Sequence, residues 1–264
     1  MERYEASTYG ERIASIYDVL YPPGPDADLA AGVIAALASS SGAGPVLELG
    51  IGTGRVALPL AGLGVEVHGV DASEAMVAQL RAKPGGQAIP VTIGDFTSLP
   101  DGASYAVIFV AFNTFFALPD QDAQLRCLQS VAEHLIPGGA FVVEAFVPDP
   151  SRFDRGQRTS TTLLAGDWVV LESAVHDPVA QKVRLVHALI TATENRLYPV
   201  ELRYAWPAEL DVMGRLAGFR REHRWGGWDR SAFSAASEKH VSVYRLAGAA
   251  PGDVEGRGPG PHSP

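Results

Sequence analysis

Short apolar runs alternate with amphipathic stretches along the first half of the chain. The run VLEL at residues 46–49 leads directly into the glycine-rich sequence GIGTG at residues 50–54. Apolar runs of this length predict strands, and apolar residues spaced by three and four predict helices. The pattern predicts strands at 46–49, 65–71, 88–93, 105–111 and 140–146, and helices at 29–39, 55–62, 73–83 and 122–135. Strands and helices that alternate in this way predict a doubly wound parallel sheet of the α/β class.

The second half of the chain has a different pattern. Four β-rich segments with short turns are predicted at 159–164, 168–176, 182–191 and 198–206. Asp177-Pro178 favours a hairpin between the second and the third. The block is too short for a core of its own, so we interpret it as a cap on the α/β sheet. A helix at 208–217 and strands at 219–225 and 240–246 follow, and from 248 onward apolar residues are too few to pack, which predicts a mobile tail.

The N-terminal segment precedes the first predicted strand. Apolar and aromatic residues recur at roughly helical spacing from Tyr9 to Leu20, which predicts one helix. The proline-rich sequence YPPGP ends this helix. Asp26 or Asp28 then has the side chain needed to cap the helix at 29–39.

Composition and charge narrow the classes of partner. The chain has 264 residues and a formal net charge of −9, so it is long enough for a full core and carries no basic field for nucleic acids or anionic membranes. Its single cysteine, Cys127, cannot form an intramolecular disulfide. The N-terminus lacks the pattern of a signal peptide, and no apolar run approaches the ~20 residues of a membrane helix. We therefore expect a soluble cytoplasmic protein with a small-molecule partner and neither a nucleic-acid nor a membrane partner.

The glycine-rich loop is a candidate ligand site because it joins a strand to a helix. Glycines allow the backbone to approach a ligand closely, and the N–H groups at a helix start favour negative groups. Gly50, Gly52 and Gly54 form GxGxG, whereas the dinucleotide fingerprint is GxGxxG. This spacing disfavours an NAD-dependent oxidoreductase. Alone, it also fits a simple tight turn between strand and helix.

Two acidic residues follow the next two predicted strands. Asp71 ends the second strand, where a carboxylate can accept hydrogen bonds from both hydroxyls of a ribose. Asp95 follows the third strand and is positioned to meet an adenine amino group, with Phe96 beside the ring. Either acid alone could cap a turn or a helix. Three successive strand ends with a glycine loop and two acids predict a ligand at the carboxyl edge of the sheet.

Residues 46–147 resemble the class I S-adenosylmethionine-dependent methyltransferases. Within that family they resemble the small-molecule branch, which consists of bacterial secondary-metabolite and amino-sugar enzymes. The matching stretches are LELGIGTGRVALPLAGLGVEVHGVDASEAM, IGDFTSLP, YAVIFVAFNTFFALP and HLIPGGAFVVEAF. The closing AELDVMGRLAGF and VSVYRL are similar to the last helix and antiparallel hairpin of that family. The resemblance implies a Rossmann-like doubly wound sheet of seven strands, the last antiparallel, with the β-rich cap inserted after the fifth strand. It also implies S-adenosyl-L-methionine as cofactor and S-adenosyl-L-homocysteine as product.

The resemblance assigns cofactor contacts to the strand ends and to the N-terminal segment. The glycine loop would hold the methionine part, the residues around the two acids would hold the adenosine, and those after the fourth strand would pass close to the sulfur. An Arg or Tyr of the N-terminal lid would meet the cofactor carboxylate, although Arg12 as a surface charge and Tyr17 as core packing remain alternatives. The implied cofactor residues are Tyr9, Arg12, Tyr17, Gly50, Gly52, Gly54, Asp71, Ala72, Met76, Gly94, Asp95, Phe96, Ala111 and Phe112.

Acceptor contacts are expected from the lid, the loop after the fourth strand and the cap. Packing in a core or a dimer is the alternative interpretation of the aromatic residues among them, and the cap edges make a homodimer plausible. The candidate substrate residues are Tyr21, Asn113, Phe116, Tyr198 and Trp206.

No residue is predicted as a catalytic base, and no metal site is predicted because the carboxylates do not cluster at metal-ligand spacing. Structural roles are the better interpretation of His134, His176 and His187. Glu144 could equally face the ligand or be satisfied by its neighbours.

The expected function is transfer of a methyl group to N, O or C of a small molecule by in-line displacement, driven mainly by positioning. The chain has AFNT where nucleobase or protein-amide enzymes would have an NPPY-type tetrapeptide. The alternative is an inactive scaffold protein that binds S-adenosylmethionine. The expected organisation is a helical lid at 1–44, a cofactor-binding core at 45–150, a cap or dimerisation insert at 151–206, a completing helix and strands at 207–247 and a flexible tail at 248–264.

Overall fold

The computed structural model describes residues 4–99 and 102–247, and the predicted tail at 248–264 lies outside the described residues. The strands are β1 Val46–Leu49, β2 Val67–Asp71, β3 Val91–Ile93, β4 Tyr105–Val110, β5 Leu135–Phe146, β6 Gln157–Ala165, β7 Trp168–Asp177, β8 Lys182–Thr191, β9 Asn195–Arg203, β10 Phe219–Trp225 and β11 Lys239–Leu246. The α-helices are α1 Thr8–Ile13, α2 Tyr17–Leu20, α3 Pro25–Ser41, α4 Ala57–Gly62, α5 Glu74–Arg81, α6 Gln121–His134 and α7 Pro207–Leu216.

Seven strands form the main sheet in the order β10-β11-β5-β4-β1-β2-β3. The first five strands pair in parallel, and β11 is antiparallel to both β5 and β10. The predicted doubly wound α/β sheet of seven strands with the last one antiparallel is confirmed. The strand order reverses between β1 and β4, which places a ligand crevice at the carboxyl ends of these strands.

Both faces of the main sheet are covered by helices, which explains why most residues of its central strands are apolar. Val46 and Phe109 lie in the apolar cluster formed with α3, α4 and Leu80 of α5. Leu47 and Ile108 point to the other face and pack with α6 and α7. Each fully buried side chain of this size contributes about 1.5–3 kcal/mol of transfer free energy.

The cap is a second, antiparallel sheet in the order β6-β7-β8-β9. It lies in the chain between β5 and α7, which confirms a β-rich cap inserted after the fifth strand. The predicted hairpin at Asp177 joins β7 to β8. The Asp177 carboxylate accepts hydrogen bonds from the N–H groups of Val179 and Ala180, both at 3.0 Å, and so fixes this turn.

The N-terminal segment packs between α5 and the cap. Ile13 is buried with Met76 of α5 and with Leu189 of the cap. The prediction of one continuous helix from Tyr9 to Leu20 is wrong, because the chain leaves helical geometry at Ile16, with φ −121° and ψ 0°. Contacts to two different surfaces override the helical periodicity there.

Several other element boundaries differ from the sequence pattern, among them the start of α3 and the end of β9. The helix expected at 29–39 begins at Pro25, because proline suits the first helical position, and Asp26 and Asp28 lie within its first turn rather than capping it. Strand β9 ends at Arg203, so Trp206 precedes α7 instead of ending a strand. In the part of the chain that the structure describes, no helix is long and apolar enough to cross a membrane.

Candidate functional site

A cavity of about 820 Å³ lies between the carboxyl edge of the main sheet and the cap. Its floor is formed by the glycine loop after β1, the end of β2 and the loops after β3 and β4. Its roof is formed by the cap sheet and by tyrosines of the N-terminal segment. The cavity therefore lies where the strand order of the main sheet reverses.

The glycine loop keeps its backbone open to this cavity. Gly50 and Gly52 have φ of +70° and +54°, a region that favours glycine. A Cβ on Gly50 would lie 2.4 Å from Thr114 Cγ2, and one on Gly52 would lie 3.2 Å from Met76 Cε. Gly54 also has a positive φ, of +80°, and a Cβ there would lie 2.4 Å from Leu80 Cδ1 of α5. Gly50 and Gly52 line the cavity, whereas Gly54 lets the loop pack closely against α5.

The carboxylate of Asp71 connects the glycine loop with the start of α5. Its Oδ2 accepts a hydrogen bond from Gly52 N–H at 2.7 Å, and its Oδ1 accepts one from Ser73 N–H at 2.8 Å. Burial raises the pKa of Asp71, and these two N–H groups oppose the shift. Each carboxylate oxygen has a further lone pair available for a ligand hydroxyl.

Two ionisable side chains at the cavity, Glu48 and Arg55, were not identified by the sequence analysis. Glu48 is buried, its Oε2 has no hydrogen-bond partner among the described residues, and burial and the nearby Asp71 raise its pKa well above the usual range. The guanidinium of Arg55 lies 3.9 Å from the centre of the Phe112 ring, and its buried Nε likewise lacks a described partner. Glu48 lies directly before LGIGTG, and Arg55 lies directly after its last glycine. This position beside the glycine loop was the sequence signal that could have identified them as site residues.

The loop after β4 has a strained backbone that two side chains hold. Phe112 and Asn113 have φ of 52° and 69°, which costs about 1–3 kcal/mol for a non-glycine residue. Glu144 accepts a hydrogen bond from Phe112 N–H at 2.9 Å, and Asn113 Oδ1 accepts one from Phe146 N–H at 2.7 Å. Glu144 is therefore satisfied by its neighbours, and the amide oxygen of Asn113 is engaged in the loop.

The N-terminal segment is bonded to the floor of the cavity. Glu11 accepts hydrogen bonds from Ser73 Oγ at 2.8 Å and from Ala75 N–H at 3.1 Å. Lys83 Nζ lies 2.6 Å from Asp18 Oδ2. These contacts hold the tyrosines of the segment over the floor.

The cap contributes polar groups to the roof. His187 Nε2 lies 3.5 Å from the Tyr21 hydroxyl. His176 Nε2 lies 2.9 Å from the Tyr204 hydroxyl, and its ring stacks on Phe153 with centroids 4.7 Å apart.

Most of the predicted site residues meet in this cavity. Those that line it are Tyr9, Tyr17, Tyr21, Gly50, Gly52, Asp71, Ala72, Met76, Asp95, Phe96, Ala111, Phe112 and Asn113. Those that lie outside its lining are Arg12, Gly54, Gly94, Phe116, Tyr198 and Trp206.

The outliers have identifiable surroundings. Phe116 is fully buried against Phe146 in the main core, and Tyr198 is buried between the cap and the N-terminal segment. Trp206 is 41% exposed at the start of α7. Among the residues with described positions, no group of three His, Cys, Asp or Glu side chains is arranged to hold a metal ion.

Comparison with known proteins identifies the family. The family model described as "Methyltransferase domain" matches residues 46–139. The structure of the CcbJ methyltransferase from Streptomyces caelestis is 45% identical in sequence, with a TM-score of 0.87, over 92% of this chain and 100% of that one. The chain belongs to the S-adenosylmethionine-dependent methyltransferases.

Two further relatives are similar over most of the methyltransferase. Cypemycin N-terminal methyltransferase from Streptomyces sp is 28% identical over 90% of this chain and 98% of that protein. The structure of CalS10 from Micromonospora echinaspora, an amino pentose methyltransferase bound to S-adenosylmethionine, is 20% identical with a TM-score of 0.67. That match covers 88% of this chain and 97% of the other, and it supports the fold.

Proposed function

We propose that the protein transfers a methyl group from S-adenosylmethionine to a nitrogen, oxygen or carbon atom of a small molecule by in-line displacement. The observation that carries this proposal is the cavity between the glycine loop and the cap, which has room for two ligands. The floor carries the groups expected for a cofactor. The acceptor would bind on the opposite side of the cavity, against the roof.

The residues of the floor fit the chemistry of the cofactor. Asp71 would accept hydrogen bonds from the ribose hydroxyls, and Asp95 with Phe96 would frame the adenine. The unpartnered carboxyl oxygen of Glu48 suits an ammonium group, and the guanidinium of Arg55 suits a carboxylate. The backbone at Gly50 and Gly52 would lie against the methionine part, with Tyr9 and Tyr17 above it.

The bound cofactor supplies an electrophilic methyl group on a sulfonium. The chain itself aligns the two ligands and excludes water, and such positioning accounts for ~7–11 kcal/mol of a bimolecular barrier. In this proposal residues 1–44 form the lid, 45–150 and 207–247 form the cofactor-binding core, and 151–206 form the cap.

A nitrogen is the acceptor atom that we favour. Cypemycin N-terminal methyltransferase is named for an N-terminal acceptor and is similar over 90% of this chain. The acidic net charge of −9 and the roofed cavity favour a small acceptor over a nucleic acid.

We also infer that two copies associate through the edges of the cap sheet. β6 and β9 are its edge strands, and each carries an exposed leucine, Leu164 at 76% and Leu197 at 62%. Open strand edges with exposed apolar side chains favour pairing between chains. Light scattering after size exclusion tests this inference, and a monomer mass at micromolar concentration would contradict it.

The first experiment is calorimetric titration with S-adenosylmethionine, S-adenosylhomocysteine and, as control, NAD. The proposal expects micromolar binding of the two sulfur nucleosides and none of NAD. The reaction is then tested by adding cofactor with a trideuteriomethyl group to a metabolite extract. Mass spectrometry detects any component that gains this group. Lack of binding would refute the cofactor site, and binding without transfer to any acceptor would favour the inactive scaffold.

A further inference from the structure

Two polar side chains of the cap face each other above the cavity. Glu172 on β7 and His187 on β8 are directly paired in the antiparallel register and therefore share one face of the sheet. Both line the cavity, and His187 is only 7% exposed. The Tyr21 hydroxyl reaches His187 Nε2 from the N-terminal segment at 3.5 Å.

The neighbouring elements define the electrostatics of this pair. Arg158 of β6 forms an ion pair with Glu172. Tyr198 of β9 lies opposite His187 in the register, and Tyr9 shares a hydrogen bond with Tyr21. Burial lowers the pKa of His187 from its usual 6.5, and Glu172 opposes the shift. The imidazole is therefore neutral at neutral pH and can accept a proton.

Two other histidines near the cavity or the core are engaged by neighbouring groups, and the buried His240 lies outside the cavity lining. His176 is bonded to Tyr204 at 2.9 Å and stacked on Phe153. His134 is buried on α6, with Nδ1 at 2.7 Å from the Ser130 carbonyl oxygen, and lies outside the cavity lining. Among the histidines with described positions, His187 is thus the one that combines a cavity position, a carboxylate opposite and a hydroxyl contact.

We propose that Glu172, His187 and Tyr21 form the subsite that binds the amino group of an amine acceptor and takes its proton. This inference rests on the proposed function, since it names the acceptor class of the same site. Aliphatic amines are protonated at neutral pH and have no free lone pair in that form. The amino group must therefore lose a proton before it can act as a nucleophile.

The proton transfer is balanced within the subsite. An N–H bond of the ammonium breaks, and its electron pair remains on nitrogen as the nucleophilic lone pair. The proton forms an N–H bond at His187 Nε2, either directly or through the Tyr21 hydroxyl, which gives up its own proton as it receives another. Glu172 stabilises the resulting imidazolium, and Arg158 fixes the carboxylate in place.

The first test needs no acceptor. The imidazole signals of the full-length protein, saturated with S-adenosylhomocysteine, are followed by NMR against pH, and His187→Asn assigns the signal of His187. Glu172→Gln should lower the pKa of His187 further, because the carboxylate favours the imidazolium. A His187 pKa that is unaltered by Glu172→Gln would contradict the proposed interaction between Glu172 and His187. Failure of S-adenosylhomocysteine to bind would instead contradict the proposed function.

The second test uses amines matched with alcohols. The probes are D-glucosamine with D-glucose and tyramine with 4-(2-hydroxyethyl)phenol, added to the same saturated protein. We expect the amine of at least one pair to shift the His187 signal more than its alcohol and to receive a trideuteriomethyl group from labelled cofactor. Preference for the alcohols, or no response to either amine, would overturn the amine assignment.

The pH dependence of transfer distinguishes a proton acceptor from a structural histidine. Wild-type kcat should fall as the pH drops through the His187 pKa, and Glu172→Gln should move this limb to lower pH. His187→Asn should abolish the limb and lower kcat by roughly 10²–10⁴-fold, with S-adenosylhomocysteine affinity retained. His68→Asn is the control, because His68 contacts a glutamate, Glu66, at 3.2 Å outside the cavity. An unchanged acidic limb in His187→Asn would refute the role.

Discussion

The hydroxyl of Thr53 in the glycine loop donates a hydrogen bond to the carboxylate of Asp18 at 2.7 Å. Lys83 binds both partners, since its Nζ lies 2.6 Å from Asp18 Oδ2 and 2.8 Å from the Thr53 carbonyl oxygen. One cluster of three side chains thus connects the N-terminal tyrosines to the loop that would hold the cofactor.

Asp18→Ala should weaken cofactor binding. The substitution removes the contacts to Thr53 and Lys83, and a hydrogen bond with a charged partner contributes about 1.5–3 kcal/mol. We expect the calorimetric Kd for S-adenosylhomocysteine to rise about tenfold or more. Asp28→Ala, which removes an exposed aspartate from the first turn of α3, is the matched control. Equal affinity of the two variants would show that the cluster does not organise the site.

Asp71→Ala should affect both binding and folding. It leaves the N–H groups of Gly52 and Ser73 without their carboxylate partner. The loss should be about 0.5–3 kcal/mol for each hydrogen bond, whether to the backbone or to the ribose. Denaturant unfolding and titration with S-adenosylmethionine measure the two effects separately. Asp71→Asn keeps one acceptor oxygen and should therefore reduce stability and cofactor affinity less than Asp71→Ala. An unchanged Kd in Asp71→Ala would exclude the ribose assignment.

Glu48→Gln should stabilise the protein without cofactor while weakening cofactor binding. The raised pKa of Glu48 means that the folded state holds this proton more tightly than the unfolded chain. The tighter proton binding adds to the free energy of unfolding. This addition is complete below the usual pKa of 4.5 and is lost as the pH rises through the raised pKa of Glu48. Gln does not titrate, so the variant should gain stability relative to wild type between pH 4 and neutral pH.

Thermal unfolding of wild type and Glu48→Gln across this pH range provides the measurement. A constant difference in stability would contradict the titration of Glu48. Tighter binding of S-adenosylmethionine by the variant would contradict the contact with an ammonium group.

Asn113→Ala should destabilise the loop after β4 by roughly 1–3 kcal/mol, because a hydrogen bond to Phe146 N–H is lost and alanine is unfavourable at φ 69°. Asn113→Gly loses the same hydrogen bond but relieves the backbone cost. The glycine variant should therefore unfold at a higher denaturant concentration than the alanine variant. The reverse order would show that the backbone strain is unimportant.

The sequence predicted the main sheet well because its signals are local. Apolar runs such as 46–49 and 105–110 are strands buried on both faces, and the turn at Asp177 fixes a hairpin from its own residues. The glycine loop with Asp71 likewise lies within one strand–loop–helix unit. Features of this kind depend on spacing along the chain.

The missed features depend on contacts between distant segments. Arg55 contacts Phe112, and Tyr21 contacts His187, although the two residues of each pair lie far apart along the chain. The break at Ile16 likewise follows from packing against α5 and the cap rather than from local preference. Hydrophobic periodicity carries no information about such pairs.

The floor of the cavity and the cap sheet of its roof come from separate stretches of chain. The floor lies within 46–113, whereas the cap sheet is a single insertion from Gln157 to Arg203. Under the proposed function, substitutions in the insertion can therefore alter which acceptor is accommodated while the proposed cofactor residues stay unchanged. Selection for a new acceptor, in nature or by directed evolution, can act on one contiguous segment of the gene.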